Sequence, residues 1–159
     1  HGTLSFAIFN YALHNLISAV AAYWIGHHAD RTNKLILLVA GYTLSVGVSV
    51  MLAIRGDSML WLSGVFALSG IAIAAKETLE KSAAAEFLPR EIRNLGFGYL
   101  AAVNAIGDMI SSVFVGQLLE RNRQQLAFGL AASASALGVI WLMFLALGNR
   151  NRMAQDLAK

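Results

Sequence analysis

Five apolar stretches dominate this chain: residues 4–25, 35–54, 59–75, 95–118 and 126–147. Together they hold 105 of the 159 residues yet contain one charged side chain, Asp108, while the other 20 charges fall in the remaining 54 residues. A water-soluble helix carries charge along its outer face. Charge segregated by segment rather than by face therefore excludes a soluble helical fold. At 1.5 Å per residue the stretches measure roughly 26 to 36 Å, against a hydrocarbon core of about 30 Å. Barrel strands would alternate polar and apolar residues, and none of these stretches does. The expected fold class is all-α, a polytopic membrane protein with five transmembrane helices. A mean hydropathy of +0.60 with 13% charged residues also excludes disorder.

The charges outside the stretches predict an orientation. Nine Lys and Arg side chains lie in 26–34, 76–94 and 148–159, and three lie in 1–3, 55–58 and 119–125. The positive-inside rule puts the first set, with the carboxy-terminal tail 148–159, on the cytoplasmic face of a cell (inner) membrane. The lipid bilayer is thus the first expected partner. A net charge of +3 does not indicate nucleic acid, because the basic residues sit in short connectors and not on one folded face. With no cysteine there is no disulfide framework and no thiolate metal site. The chain opens on His1 with a span almost at once and has an odd number of spans, so a piece of a longer polypeptide is expected.

The spans carry an internal echo. Gly26-x-x-x-Asp30-Arg31 follows span one, and Gly116-x-x-x-Glu120-Arg121 follows span four at an offset of 90 residues. At that offset His14 aligns with Asn104 and Ser18 with Asp108. Three spans separate the copies, so the second crosses the membrane in the opposite sense, as in the inverted repeats of many transporters. In span one Asn10, His14, Ser18 and Ala22 recur every four residues, and in span four Asn104, Asp108, Ser112 and Gly116 do the same. Each set makes one polar or small stripe on a helix. A charge at mid-membrane costs about 2.5–3.5 kcal/mol on the mildest scale, so Asp108 should face protein or water. Spans one and four are expected to look inward, and spans two and five, with only Gly, Ser and Thr among their apolar residues, toward lipid. Asn10, Asn15, Ser18, Ser111 and Ser112 also fit plain helix–helix hydrogen bonding. His14 fits either a neutral hydrogen-bonding role or proton transfer. Asp108, Asn104, His14, Asn10 and Ser112 are the candidates for a pore or coupling site. Lys76, Glu77, Glu80 and Lys81 are expected to form surface ion pairs at the end of span three.

Two connectors resemble signatures of a known family. Gly26-x-x-x-Asp30-Arg31-x-x-Lys34 resembles the loop motif of the major facilitator superfamily in its carboxy-terminal half. Leu88-Pro89-Arg90-Glu91-Ile92-Arg93-Asn94-Leu95-Gly96-Phe97-Gly98 resembles that half's loop before its eleventh helix, and 103–112 resembles the helix itself. The resemblance covers essentially the whole chain and implies that the five spans are helices eight to twelve of a twelve-helix fold. It implies a secondary transporter working by alternating access on a small solute, with the missing amino-terminal half as a partner. It also implies a gating loop at Gly26, Asp30, Arg31 and Lys34, and a second cytoplasmic loop marked by Pro89 and Arg93. In the first loop Asp30 can pair with Arg31 or Lys34, or accept backbone N–H groups at the start of span two. Asn33 and Asn94 stand where the family often has Gly, and both can take a left-handed backbone conformation.

Proton coupling through Asp108 or His14 is one option for such a transporter. The alternative is a non-transporting receptor or scaffold on the same fold. An enzyme is not expected: His27-His28-x-Asp30 lacks further ligands for a metal, no nucleophile-elbow or His-Glu-x-x-His motif is present, and no phosphate-binding loop occurs. No cofactor is expected.

Overall fold

The computed structural model describes all residues except His1, Asp30, Arg31, Arg55, Asp57 and 157–159. Among the described residues five helices follow in order: α1 Gly2–Ala29, α2 Lys34–Ala53, α3 Met59–Phe87, α4 Arg93–Glu120 and α5 Gln124–Asp156. Each contains a segment long and apolar enough to cross a membrane. Helix α3 outruns its apolar stretch by twelve residues and carries Lys76, Glu77, Glu80 and Lys81 inside it. It stops at Leu88, whose extended backbone (φ −100, ψ 132) is what a following proline imposes. Helix α5 continues to Asp156, so residues 148–156 of the expected tail are helical.

The turns are built differently from expectation. Asn33 is not left-handed: at φ −64 and ψ 111 it caps α2, its side chain accepting from the N–H groups of Leu35 and Ile36. Asn94 is simply the second residue of α4. The described non-glycine residue with positive φ is Asn122 (φ 54), between α4 and α5. There the N–H groups of Asn122 and Arg123 donate to the carbonyls of Leu119 and Leu118, which closes α4 through a left-handed residue. Asn tolerates that conformation because its short side chain can bond locally.

Small residues let the helices meet. A Cβ added at Gly70 would lie 2.6 Å from the His14 carbonyl oxygen, so α1 and α3 touch backbone to backbone. A Cβ added at Gly41 would lie 2.9 Å from the Ala75 Cβ, which marks the same closeness between α2 and α3. Two buried clusters follow from this approach. Ala29, Leu38, Ala75 and Leu79 form one, and Val48, Val65 and Ala72 the other. Helix α5 packs along α2, with Leu142 against the first cluster, Ala127 fully buried, and Gln124 Nε2 donating to the Leu52 carbonyl at 3.1 Å.

This arrangement corrects one expectation. Span two does not lie on the outside of the bundle: α2 is packed on one side by α3 and on the other by α5. Helix α4 has no buried residue among those described. Of its polar stripe, Asn104 and Asp108 turn toward α3 across a cavity, and Ser112 is exposed.

Replacing Gly70 by Ala forces a methyl group into a backbone oxygen, and the helices must part. Gly70→Ala is expected to lower the stability of the protein in detergent micelles by about 1–3 kcal/mol, the range for overpacking. Gly64→Ala, on the same helix with no atom within 4 Å of the added Cβ, should be neutral or slightly stabilising. Equal melting behaviour of the two variants would show that α1 and α3 do not depend on this contact.

Candidate functional site

Two polar nodes interrupt the apolar bundle, and both end on α3. At the first, His14 Nδ1 lies 2.8 Å from Ser69 Oγ and 3.2 Å from the Phe66 carbonyl oxygen. The Ser69 hydroxyl donates to that same carbonyl at 2.8 Å, so the hydrogen between His14 and Ser69 belongs to the imidazole. His14 therefore donates from Nδ1 and pins α1 to α3. Asn10, one turn earlier, is 1% exposed; its amide donates to the Phe6 carbonyl, and its Oδ1 has no hydrogen-bond partner among the described residues.

The second node joins three helices. Glu80 of α3 accepts from the Tyr42 hydroxyl of α2 on Oε1 and from Asn104 Nδ2 of α4 on Oε2, the latter at 2.8 Å. Both carboxylate oxygens are engaged, as a charge in an apolar bundle requires. Glu80 lies seven residues from the end of α3, or roughly 10 Å along the helix. The node is thus within the bundle and not on its cap. The expected ion pairs within Lys76, Glu77, Glu80 and Lys81 do not form: the described ion pair is Lys34 to Glu86, at 3.5 Å between the start of α2 and the end of α3.

Glu80 and Asn104 separate two cavities. One, of about 200 Å³, is lined by charged side chains from two helices: Lys76, Glu77, Glu80 and Lys81 of α3 and Asp108 of α4, with Phe97 and Asn104. The other, of about 360 Å³, is mostly apolar, with Leu38, Ala83, Trp141 and Leu142 around Tyr42 and Glu80. Asp108 faces the charged cavity, in keeping with the need to keep an ionisable group off lipid. Its backbone carbonyl accepts from the Ser111 hydroxyl at 3.0 Å, while its carboxylate forms no ion pair among the described residues.

The residues singled out from sequence are therefore dispersed. Asn104 and Asp108 share the charged cavity, whereas His14 and Asn10 serve the α1–α3 contact elsewhere. Ser112 is exposed on α4. Of the first loop, Gly26 packs near Thr78 of α3 and Lys34 pairs with Glu86, while Asp30 and Arg31 lie outside the described residues. Pro89 precedes a 3-10 turn, Arg90–Ile92, and Arg93 opens α4. Sequence reasoning missed Tyr42 and treated Glu80 as surface charge. The available signal was modest: Tyr42 is the sole aromatic residue in α2, and Glu80 stands between Leu79 and Ala83, both buried.

Comparison with known proteins bears on what this arrangement belongs to. The profile of the Major Facilitator Superfamily matches residues 1–157. No curated protein and no solved structure matches the chain. Proteins of that family are membrane transporters and not enzymes, in keeping with five helices able to cross a bilayer. With the profile reaching from the first residue to within two of the last, this chain belongs to the major facilitator superfamily.

Proposed function

We propose that the chain forms one wall of the solute pathway in a secondary transporter that moves a small solute by alternating access across the cytoplasmic membrane. The observation that carries this reading is the charged cavity between α3 and α4. Five ionisable side chains converge there within helices that are otherwise apolar. Asp108, the one charge within the apolar stretches, faces this cavity, and charges inside a membrane are expensive and mark ion and solute routes when they do so. Helix α4 touches α3 mainly through the Asn104–Glu80 bond and buries none of its residues, so it is the element best suited to shift relative to the others. A second helical half of the transporter would cover the open faces of α1 and α4, and the Lys and Arg count supports a cytoplasmic carboxy terminus.

For coupling to protons, Asp108 is the stronger candidate. His14 sits in the contact between α1 and α3, away from the charged cavity, whereas the Asp108 carboxylate faces that cavity and forms no ion pair among the described residues. The groups that share the cavity with it are Lys76, Glu77, Glu80 and Lys81. The loop at Gly26, Asp30, Arg31 and Lys34 would act as a latch, with Lys34 tying α2 to the end of α3 through Glu86 in this conformation.

The chain has no cysteine, so a cysteine introduced into it is its one thiol, and any elsewhere in the intact protein are first replaced. In the intact protein, Ala101→Cys in the charged cavity should react quickly with a membrane-impermeant thiol reagent, and Leu137→Cys on the exposed face of α5 slowly. Equally slow reaction at both positions would argue against an aqueous pathway here. Asp108→Asn should weaken proton-driven flux in vesicles and flatten its pH dependence. Unchanged flux with an unchanged pH profile would return Asp108 to a packing role.

A further inference from the structure

The turn between α3 and α4 holds a cavity that the solute pathway does not use. It measures about 570 Å³ and is lined by Leu88, Ile92, Leu95 and Tyr99, with Gly96 and Gly98 between them. The Leu88 side chain lies against Gly96, where an added Cβ would come within 2.2 Å of Leu88 Cδ1. Leu95 and Tyr99 are 76% and 74% exposed, so the cavity opens outward from the bundle. Because α3 ends and α4 begins here, the cavity sits at a membrane surface whichever way the protein is oriented.

Two arginines, Arg90 and Arg93, stand on the turn that carries this apolar space. Arg93 lies between Ile92 and Asn94, both lining residues, and its guanidinium reaches back to the Leu88 carbonyl at 3.5 Å. That one bond leaves most of its five donors unmet, and its Nε is buried with no hydrogen-bond partner among the described residues. Arg90 is exposed on the adjoining 3-10 turn. Of the nearby acids, Glu86 is paired with Lys34, and Glu91, exposed on the same turn, offsets one arginine, so Arg90, Glu91 and Arg93 together leave the turn net positive. Helix α4 itself starts without a side-chain cap and with no acidic residue in its first turn, so its amide dipole adds to the same field.

We propose that this turn binds an anionic phospholipid, its phosphate on Arg93 and Arg90 at the start of α4 and an acyl chain in the cavity between Leu88, Ile92, Leu95 and Tyr99. A soluble anion would have no use for the apolar cavity. A zwitterionic lipid would gain less from two arginines and an uncapped helix start. The site depends on the protein being in a membrane and is independent of the solute pathway, so either can fail alone. Its consequence is mechanical: a lipid held here would anchor the amino-terminal end of α4, the helix with the fewest other attachments.

The intact protein, reconstituted in nanodiscs of equal phosphatidylglycerol and phosphatidylcholine and then released, can be assayed for retained lipid by native mass spectrometry. Wild type should retain phosphatidylglycerol in preference, and Arg93→Gln should cut that preference about fivefold, the worth of one arginine near an anionic surface. Arg93→Lys should keep most of it. Gly98→Trp, which fills the cavity from a position with no atom within 4 Å of its Cβ, should lower retention with both arginines intact. If Arg93→Gln fails to fold, Arg90→Gln and Gly98→Trp carry the comparison. Equal retention of the two lipids by wild type would overturn the proposal. So would a preference that survives these substitutions, or displacement of the retained lipid by inorganic phosphate.

Discussion

Helix α3 approaches two neighbours at backbone distance, and the rest of the bundle is arranged around that closeness. Lipid tails are as apolar as leucine, so nothing resembling the hydrophobic effect drives one span against another inside a bilayer. What remains is dispersion between closely fitted surfaces and hydrogen bonds that have no water to compete with them. Gly70 supplies the fit to α1 and Gly41 with Ala75 the fit to α2. The buried clusters that follow are built of Ala, Val and Leu, with Tyr42 and Trp61 packed against them from partly buried positions.

The polar residues of the bundle obey the same constraint. His14 and Asn104, which occupy equivalent positions in the two halves of the internal echo, both end on α3: one on Ser69 and the Phe66 carbonyl, the other on Glu80. One bond closes a tightly packed pair and the other spans a loose one. Because α4 lacks buried residues, the Asn104–Glu80 bond carries a larger share of its attachment than His14 does for α1. Glu80, held also by Tyr42, connects the fixed part of the bundle to its least fixed helix. The charged cavity lies on the α4 side of that connection, where a shift of α4 would change its shape.

Legibility in the sequence varied with the range of the interaction. The five spans were readable because apolar runs are a local property, and their ends shifted only where a polar segment continued a helix, as at Lys76–Phe87. The turn residues were half readable. Asn33 was identified as a turn former, yet it acts as a cap with negative φ, while the left-handed position fell to Asn122. Glu80 does not pair along its own helix, because i, i+4 spacing describes a solvated helix face. In an apolar bundle the carboxylate turns toward whichever donors lie across the interface, here on α2 and α4.

By itself the sequence determined that the chain crosses a membrane as helices, and through two connector motifs it pointed to the family whose profile then covered it. Both follow from what neighbouring residues in the chain do: hydropathy sums along a segment, and a loop motif is contiguous. Tertiary structure decided which helix stands at the centre, which polar residues meet, and which charges are left facing a cavity. Tyr42, Glu80 and Asn104 are 38 and 24 residues apart in sequence, and nothing local to any of them names the other two. Asp108, the single charge within the five apolar stretches, was visible from the start. That it shares a cavity with four charged residues of α3 was not, because that depends on where α4 comes to rest against α3.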